Sequence, residues 1–210
     1  MIKILIVDDH AVVRRGLKQI LSDEPDMAVC GEAPDTRELA KIVDTQNWDI
    51  IILDITLTDG NGLDVLAELK RKHPSLPVLI LSVHPEEQYA IRALKSGADG
   101  YVNKRCAPED LVNAVRKVVS GGKFISPVLA ERLADSLREG FKQPLHDTLS
   151  NREYQVTCMI ASGKTLKQIA LELYLSVKTV RTYRQRIMEK MTFRSNAELI
   201  HYAIKKHLVD

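Results

Sequence analysis

Two apolar runs in this chain end in acids. Ile2–Val7 leads into Asp8-Asp9, and Ile50–Leu53 leads into Asp54. Runs rich in β-branched residues read as strands, and four apolar residues in a row read as a strand buried on both faces. In open α/β sheets, ligands bind beyond the carboxyl ends of the strands, so an acid there is placed for chemistry. Taken alone, Asp54 could equally cap the helix that follows the turn cluster Thr58-Asp59-Gly60-Asn61-Gly62. The other strand ends break the tie. With the two acid-ended strands as parallel neighbours, Asp8, Asp9 and Asp54 would open on one edge. Carboxylates held that close raise one another's pKa unless a cation sits among them. Mg²⁺ suits such a site, being a hard ion held by few carboxylates and completed by water and a phosphate. Leu81-Ser82 ends another strand with a hydroxyl, and Val102-Asn103-Lys104 ends a further one with an ammonium. Acids, a hydroxyl and an ammonium at the C-terminal ends of four strands mark a candidate site rather than a coincidence of sequence.

The elements that would position these groups follow from hydrophobic pattern. Strands are expected at Ile2–Val7, Met27–Cys30, Ile50–Leu53, Val78–Leu81 and Gly100–Val102. Amphipathic helices are expected between and after them, near Ala11–Leu21, Asp35–Val43, Gly62–Lys72, Glu86–Ser96 and Pro108–Ser120. Gly97 and Gly121-Gly122 stand where helix C-termini need them. Strict βα alternation implies an α/β, doubly wound, five-stranded parallel sheet covered on both faces by helices. Residues 123–147 break the rhythm: a helix is expected over Val128–Leu137, then a linker with Gly140 and Pro144 as breakers. The domains therefore read as 1–122, a linker at 123–147, and 148–210.

The 210 residues carry a net charge of +2, unevenly spread. Residues 1–122 hold 15 Lys+Arg against 19 Asp+Glu, and the remainder holds 15 against 9. A basic second part is a candidate for nucleic acid. Cys30, Cys106 and Cys158 are scattered and odd in number, so they suggest neither a disulfide framework nor a metal site. Each is expected as a small buried apolar residue in a reducing, cytoplasmic setting. No signal-peptide pattern and no membrane-spanning apolar run is present.

From Leu149 onward the pattern is all helical. Ser150-Asn151-Arg152-Glu153 is a capping box, Ser162-Gly163 a stop, Thr165–Leu173 a short helix, and Ser176 the cap of a longer helix reaching Met191; Ala197–Lys206 closes the chain. Wound at about 100° per residue, the third helix puts Val180, Ile187 and Met191 on one side. Lys178, Thr182, Gln185 and Glu189 lie opposite, flanked by Arg181 and Arg186. Tyr183 and Arg184 fall nearer the core side. A short helix, a tight turn and a second helix with cations, amide and hydroxyl on its outer face form the helix-turn-helix pattern of a major-groove reader.

Asp8-Asp9, Asp54, Ser82, Tyr101 and Lys104, at these intervals, resemble the receiver domain of bacterial two-component response regulators. Leu149-Ser150-Asn151-Arg152-Glu153, Gly163-Lys164-Thr165, Gln168-Ile169-Ala170 and Leu175-Ser176-Val177-Lys178-Thr179-Val180 resemble the four-helix LuxR-type DNA-binding domain. The pair is the NarL/FixJ class. The resemblance implies a flavodoxin-like receiver in which Asp54 accepts the phosphoryl group. It also implies that Asp8, Asp9, Asp54 and the carbonyl of Thr56 hold Mg²⁺, that Ser82 and Lys104 grip the phosphoryl oxygens, and that Tyr101 is an aromatic switch. Arg181, Thr182 and Gln185 would face bases; Lys178, Thr179 and Lys190 would face phosphates. Tyr183, where many relatives carry His, is expected to pack its ring inward. The implied partners are a sensor histidine kinase, double-stranded DNA and a second copy of the chain, with no membrane. The chain departs from the receiver pattern in Leu57-Thr58, where Met-Pro is common and where an extra acid, Asp59, precedes Gly60, and in Arg105, where proline is common. His10 reads as a residue at the start of the first helix rather than a metal ligand, since Mg²⁺ favours oxygen, and His84 as a loop residue near the site rather than a base. A phosphatase built on the Asp54 loop would need a second acid at Thr56, and no Gly-rich dinucleotide fingerprint follows the first strand. The chain therefore reads as a regulator rather than an enzyme.

Overall fold

The computed structural model describes residues 1–131 and 144–209, leaving aside the side chain of Glu87. The chain forms two compact units, with residues 1–131 in the first and 144–209 in the second. The first carries strands β1 (Ile2–Val7), β2 (Met27–Ala33), β3 (Ile50–Asp54), β4 (Val78–Ser82) and β5 (Gly100–Asn103). Helices α1 (Ala11–Ser22), α2 (Thr36–Ile42), α3 (Gly62–Lys72), α4 (Glu86–Lys95) and α5 (Pro108–Val119) alternate with them. All neighbouring strands pair in parallel, in the order β2-β1-β3-β4-β5. This is the expected doubly wound architecture, and it makes the two acid-ended strands direct neighbours.

The period of two along each strand decides what covers each face. Ile4, Ile6, Ile50, Ile52, Leu79 and Leu81 share a buried cluster with Leu17 and Leu21 of α1 and Leu111, Val115 and Val118 of α5. The alternate residues Leu5, Ile51, Leu53 and Ile80 are fully buried on the opposite face. At roughly 1.5–3 kcal/mol per fully buried large aliphatic side chain, these layers fix the strand register. A one-residue slip would turn the whole set outward.

Two features differ from the expected elements. Strand β2 runs three residues past Cys30, and its register against β1 shifts between Ile4 and Leu5, so that Val29 and Gly31 are paired and Cys30 is skipped. Cys30 is consequently exposed and Cys106 half-buried, and the expectation of three buried cysteines holds for Cys158 alone. The first unit also continues past residue 122. Phe124 forms a parallel bridge with Gly100, its N–H donating to Asp99 and its carbonyl accepting from Tyr101. Of the helix expected over Val128–Leu137, residues 128–131 are helical and the rest lies outside the described residues, as does most of the expected linker.

The second unit begins with a 3₁₀ turn, Leu145–Thr148, and carries α6 (Asn151–Ala161), α7 (Leu166–Glu172), α8 (Val177–Met191) and α9 (Asn196–Lys205). The capping box at Ser150 is complete, and Thr165 with Gln168 forms a second. Ser176 accepts from the Thr179 N–H to cap α8, and Val180, Ile187 and Met191 are its buried stripe, as its periodicity requires. The turn between α7 and α8 holds Tyr174 at φ 53°, a left-handed conformation that costs a non-glycine residue about 1–2 kcal/mol. The Leu173 carbonyl accepts from Arg152, whose guanidinium also donates to Gln155, so α6 braces the turn. Among the described residues, no helix is long and apolar enough to cross a membrane.

Candidate functional site

The C-terminal ends of β1 and β3 bring Asp8, Asp9 and Asp54 together, with oxygens of all three and a ring nitrogen of His10 within 4.8 Å of one another. Asp8 and Asp54 are 1% and 2% exposed. Lys104, just beyond β5, places Nζ 2.6 Å from Asp8 Oδ2 and 2.7 Å from Asp54 Oδ2. The Asp54 contact is an aligned hydrogen bond, whereas Asp8 Oδ2 meets Lys104 as a charge contact without that alignment. Asp54 Oδ1 accepts from the Thr56 N–H at 3.1 Å. Burial pushes the Asp54 carboxyl up to about 6, against the pull of Lys104 and the Thr56 N–H and with help from the Asp8 charge. Burial alone would lower the Lys104 ammonium, but the neighbouring carboxylates of Asp54 and Asp8 outweigh it and hold it above its ordinary value.

These residues fit a hard divalent cation. Asp8 Oδ2 and Asp9 Oδ1 are buried without a hydrogen-bond partner. Each meets a neighbour as a charge contact, Lys104 for Asp8 and the His10 ring for Asp9, and three clustered carboxylates still offer further lone pairs that suit a hard cation. His10 stands at the start of α1, as expected, but its ring also lies 2.6 Å from Asp9 Oδ1 while remaining 64% exposed.

The other predicted residues take defined places. Ser82 pairs across the sheet with Asn103 and is fully buried, and its Oγ accepts from the His84 N–H. Tyr101 is buried at 2% exposure and donates its hydroxyl to the His84 carbonyl, which also accepts from Asn103 Nδ2. His84 in turn reaches across the pocket, with Nε2 3.3 Å from Thr56 Oγ1. This shared carbonyl was not legible in the sequence, because a backbone acceptor leaves no mark in residue type.

The loop after Asp54 gives two of its residues defined places, Asp59 and Gly62. Thr56–Leu57 pairs antiparallel with Gly60–Asn61, making a small hairpin. At its tip Asp59 accepts from both the N–H and the hydroxyl of Thr36, at 2.9 and 2.6 Å, where α2 begins. The unusual acid is thus a tether between this loop and α2. A Cβ on Gly62 would lie 2.1 Å from the Asp54 carbonyl oxygen, so only glycine fits where α3 starts.

On α8, Lys178, Arg181, Thr182, Gln185 and Arg186 are exposed, Thr179 is half-buried at the first turn, and Tyr183 and Arg184 are half-buried. Lys190, expected as a phosphate contact, is exposed and also makes an ion pair within the unit. Its Nζ lies 2.6 Å from Glu153 Oε2, an acid that is only 3% exposed. Burial would raise the Glu153 carboxyl, but Lys190 and the Ser150 N–H hold it below its ordinary value. Lys190 therefore fastens the end of α8 to the start of α6.

Comparison with known proteins agrees with this geometry. Residues 4–116 match the family model described as response regulator receiver domain, and residues 147–203 match that of bacterial regulatory proteins, luxR family. The chain is 36% identical to the response regulator GacA of Pseudomonas aeruginosa, covering 100% of this chain and 99% of that one. It is 34% identical to the response regulator UvrY of Escherichia coli, covering 99% and 96%. A solved structure of RcsB from Salmonella enterica serovar Typhimurium, bound to a promoter in the presence of a phosphomimetic, superposes with a TM-score of 0.64 at 25% identity, covering 96% and 97%. The chain belongs to the NarL/FixJ class of response regulators, phosphorylation-regulated transcription factors that join a receiver domain to a LuxR-type DNA-binding domain.

Proposed function

We propose that Asp54 accepts a phosphoryl group from the phosphohistidine of a sensor histidine kinase, or from a small acyl phosphate, and that this event controls DNA binding through α8. The observation that carries the reading is the convergence of Lys104 on Asp8 and Asp54 in a buried pocket. An Asp54 carboxylate oxygen attacks phosphorus in line, the bond to the donor atom breaks, and its electron pair leaves with the donor. Asp8, Asp9, Asp54 and the Thr56 carbonyl would hold Mg²⁺. When bound, the ion neutralises charge on the phosphoryl oxygens. Lys104 then exchanges its carboxylate partners for a phosphoryl oxygen, and the Ser82 hydroxyl turns from the His84 N–H to another. Tyr101 and Asn103, both bonded to the His84 carbonyl, respond to that movement, and the population shifts toward the active form.

In this reading Arg181, Thr182 and Gln185 meet bases, and Lys178 and Thr179 meet phosphates. Two copies bind paired half-sites, in keeping with the solved structure of two RcsB dimers on DNA. The receiver spans 1–122 with its edge extended by Phe124, the DNA-binding domain spans 148–210, and the protein works in the cytoplasm. The chain carries out phosphotransfer to itself and turns over no other substrate.

Intact-mass spectrometry after incubation with acetyl phosphate tests the assignment. Wild type should gain one phosphoryl group when Mg²⁺ is present and none when it is chelated, and Asp54→Asn should gain none. Labelling of Asp54→Asn at the wild-type rate would overturn the assignment of the acceptor.

A further inference from the structure

Beside the base-facing side of α8 lies an open cleft of about 460 Å³, lined by Arg181, Arg184, Gln185, Met188, Phe193 and Arg194. Glu189 also lines it and accepts from Gln185, so the lining carries three guanidinium groups against one carboxylate. Met188 and Phe193 give the walls an apolar part along which arginine stems can lie.

Arg184 is held by its side chain, and Arg194 by its backbone. Arg184 donates Nε to Asn196 Oδ1 at 2.8 Å, at the first residue of α9, and a guanidinium has four further N–H donors. Arg194 sits in the short connection between α8 and α9. That connection turns at Thr192, φ 56°, and is closed by the Arg194 N–H to Glu198 Oε2 and the Glu198 N–H to Ser195 Oγ. Neither end of the connection has much freedom, so little order remains to be imposed on binding.

We propose that this cleft seats a phosphate of the DNA backbone, with Arg184 and Arg194 as its contacts. The proposal rests on α8 being the helix that enters the major groove. An α-helix with its side chains is about 10–12 Å across, and the groove is about 12 Å wide. Side chains on the helix flank therefore meet the groove wall, which is made of sugar and phosphate. Arg184 precedes Gln185 by one residue, about 100° around the axis, and so faces the wall while Gln185 faces the bases. Arg194 extends the same flank beyond the helix end. Contacts of this kind fix register and add affinity without reading sequence. Arg184 and Arg194 are then positioning residues for Arg181, Thr182 and Gln185.

The test uses the full chain treated with acetyl phosphate and Mg²⁺, and two labelled duplexes of equal length: one recovered by selection from random DNA with this protein, and a scrambled version. Titrations across a range of salt should show Arg184→Gln and Arg194→Gln each weakening both duplexes by the same factor, about threefold to tenfold. The slope of log affinity against log salt should become shallower by about 0.9 per bound chain for each lost contact. Arg184→Lys, which keeps the charge, should keep most of the slope. Thermal melts establish that each variant is folded before its slope is compared. Unchanged slopes in both glutamine variants would overturn the proposal, as would a loss confined to the selected duplex, which would make Arg184 a base reader. Failure of the wild type to bind either duplex would instead remove the DNA-binding reading of α8 on which this one stands.

Discussion

Lys104 and Arg181 are both cations on which the proposed function turns, and the protein treats them in opposite ways. The Lys104 side chain is 10% exposed and lies within 2.7 Å of two buried carboxylates. Arg181 is exposed on the outer face of α8, on a helix whose own core is the Val180, Ile187 and Met191 stripe. The pocket must hold charge out of water so that a small rearrangement of oxygens is felt strongly; at low effective dielectric, the same displacement changes the energy several-fold more. The reading face must leave its donors in water until DNA displaces it. Removing the Lys104 cation should therefore destabilise the first region, whereas removing the Arg181 cation should cost the second only its ligand.

The largest effect is expected from Lys104→Met. With Asp8 and Asp54 left uncompensated, the first unit should lose roughly 3 kcal/mol at pH 7.5 without metal. Urea unfolding followed by the fluorescence of Trp48, the chain's one tryptophan and 8% exposed, reads that unit directly. The loss should shrink near pH 5, where Asp54 takes up a proton. A loss below about 0.5 kcal/mol at pH 7.5, the range of an ordinary surface substitution, would erase the contrast between the regions.

Next is Asp54→Asn, with the opposite sign. The folded carboxyl titrates at about 6 against an ordinary 3.8. Its protonated form favours the fold fully below the ordinary value, and that contribution is lost as pH rises through about 6. Above that pH the ionised group opposes folding, so the amide should stabilise the metal-free protein by up to about 3 kcal/mol at pH 7.5. The advantage should fade as pH drops from 6 toward 4. An advantage that grew on acidification would contradict burial as the dominant cause.

Arg181→Ala should leave the Trp48 unfolding curve where it was. Binding to a selected duplex should weaken by about tenfold to a hundredfold, with a much smaller loss on a scrambled one, as expected for a base contact. An equal loss on both would move Arg181 to the groove wall with Arg184. The smallest effect is expected at the tether: Thr36→Val, which removes the hydroxyl's bond to Asp59, should cost about 1 kcal/mol in the same unfolding assay, the usual net worth of one hydrogen bond. An unchanged midpoint would mean the tether carries no stability.

The same contrast governs what was legible in the sequence. Asp8, Asp9, Asp54 and Lys104 could be placed because each ends a strand whose pattern is unambiguous, and parallel pairing carries strand ends to one edge. The stripe on α8 was legible for the same reason, its period being local. What escaped depends on partners far along the chain. Lys190 meets Glu153 across 37 residues, Asp59 meets Thr36 across 23, and the His84 carbonyl collects donors from β5. No spacing rule encodes those meetings, because they are set by how helices and loops pack. Cys30 was misplaced by a single irregular register step on the edge strand β2.

The clearance at Gly62 has a consequence for how this protein can drift. A methyl group at that position would strike the carbonyl oxygen of Asp54 itself, and the next nearest atom, the Ile55 Cα at 2.7 Å, is also main chain and cannot swing aside. Alanine, the mildest replacement in most helices, would there be paid for by Asp54, the proposed phospho-acceptor, displaced along with its peptide. A saturation library at codon 62 should accordingly return one amino acid among clones that still take up phosphate, while the neighbouring surface of α3 tolerates many.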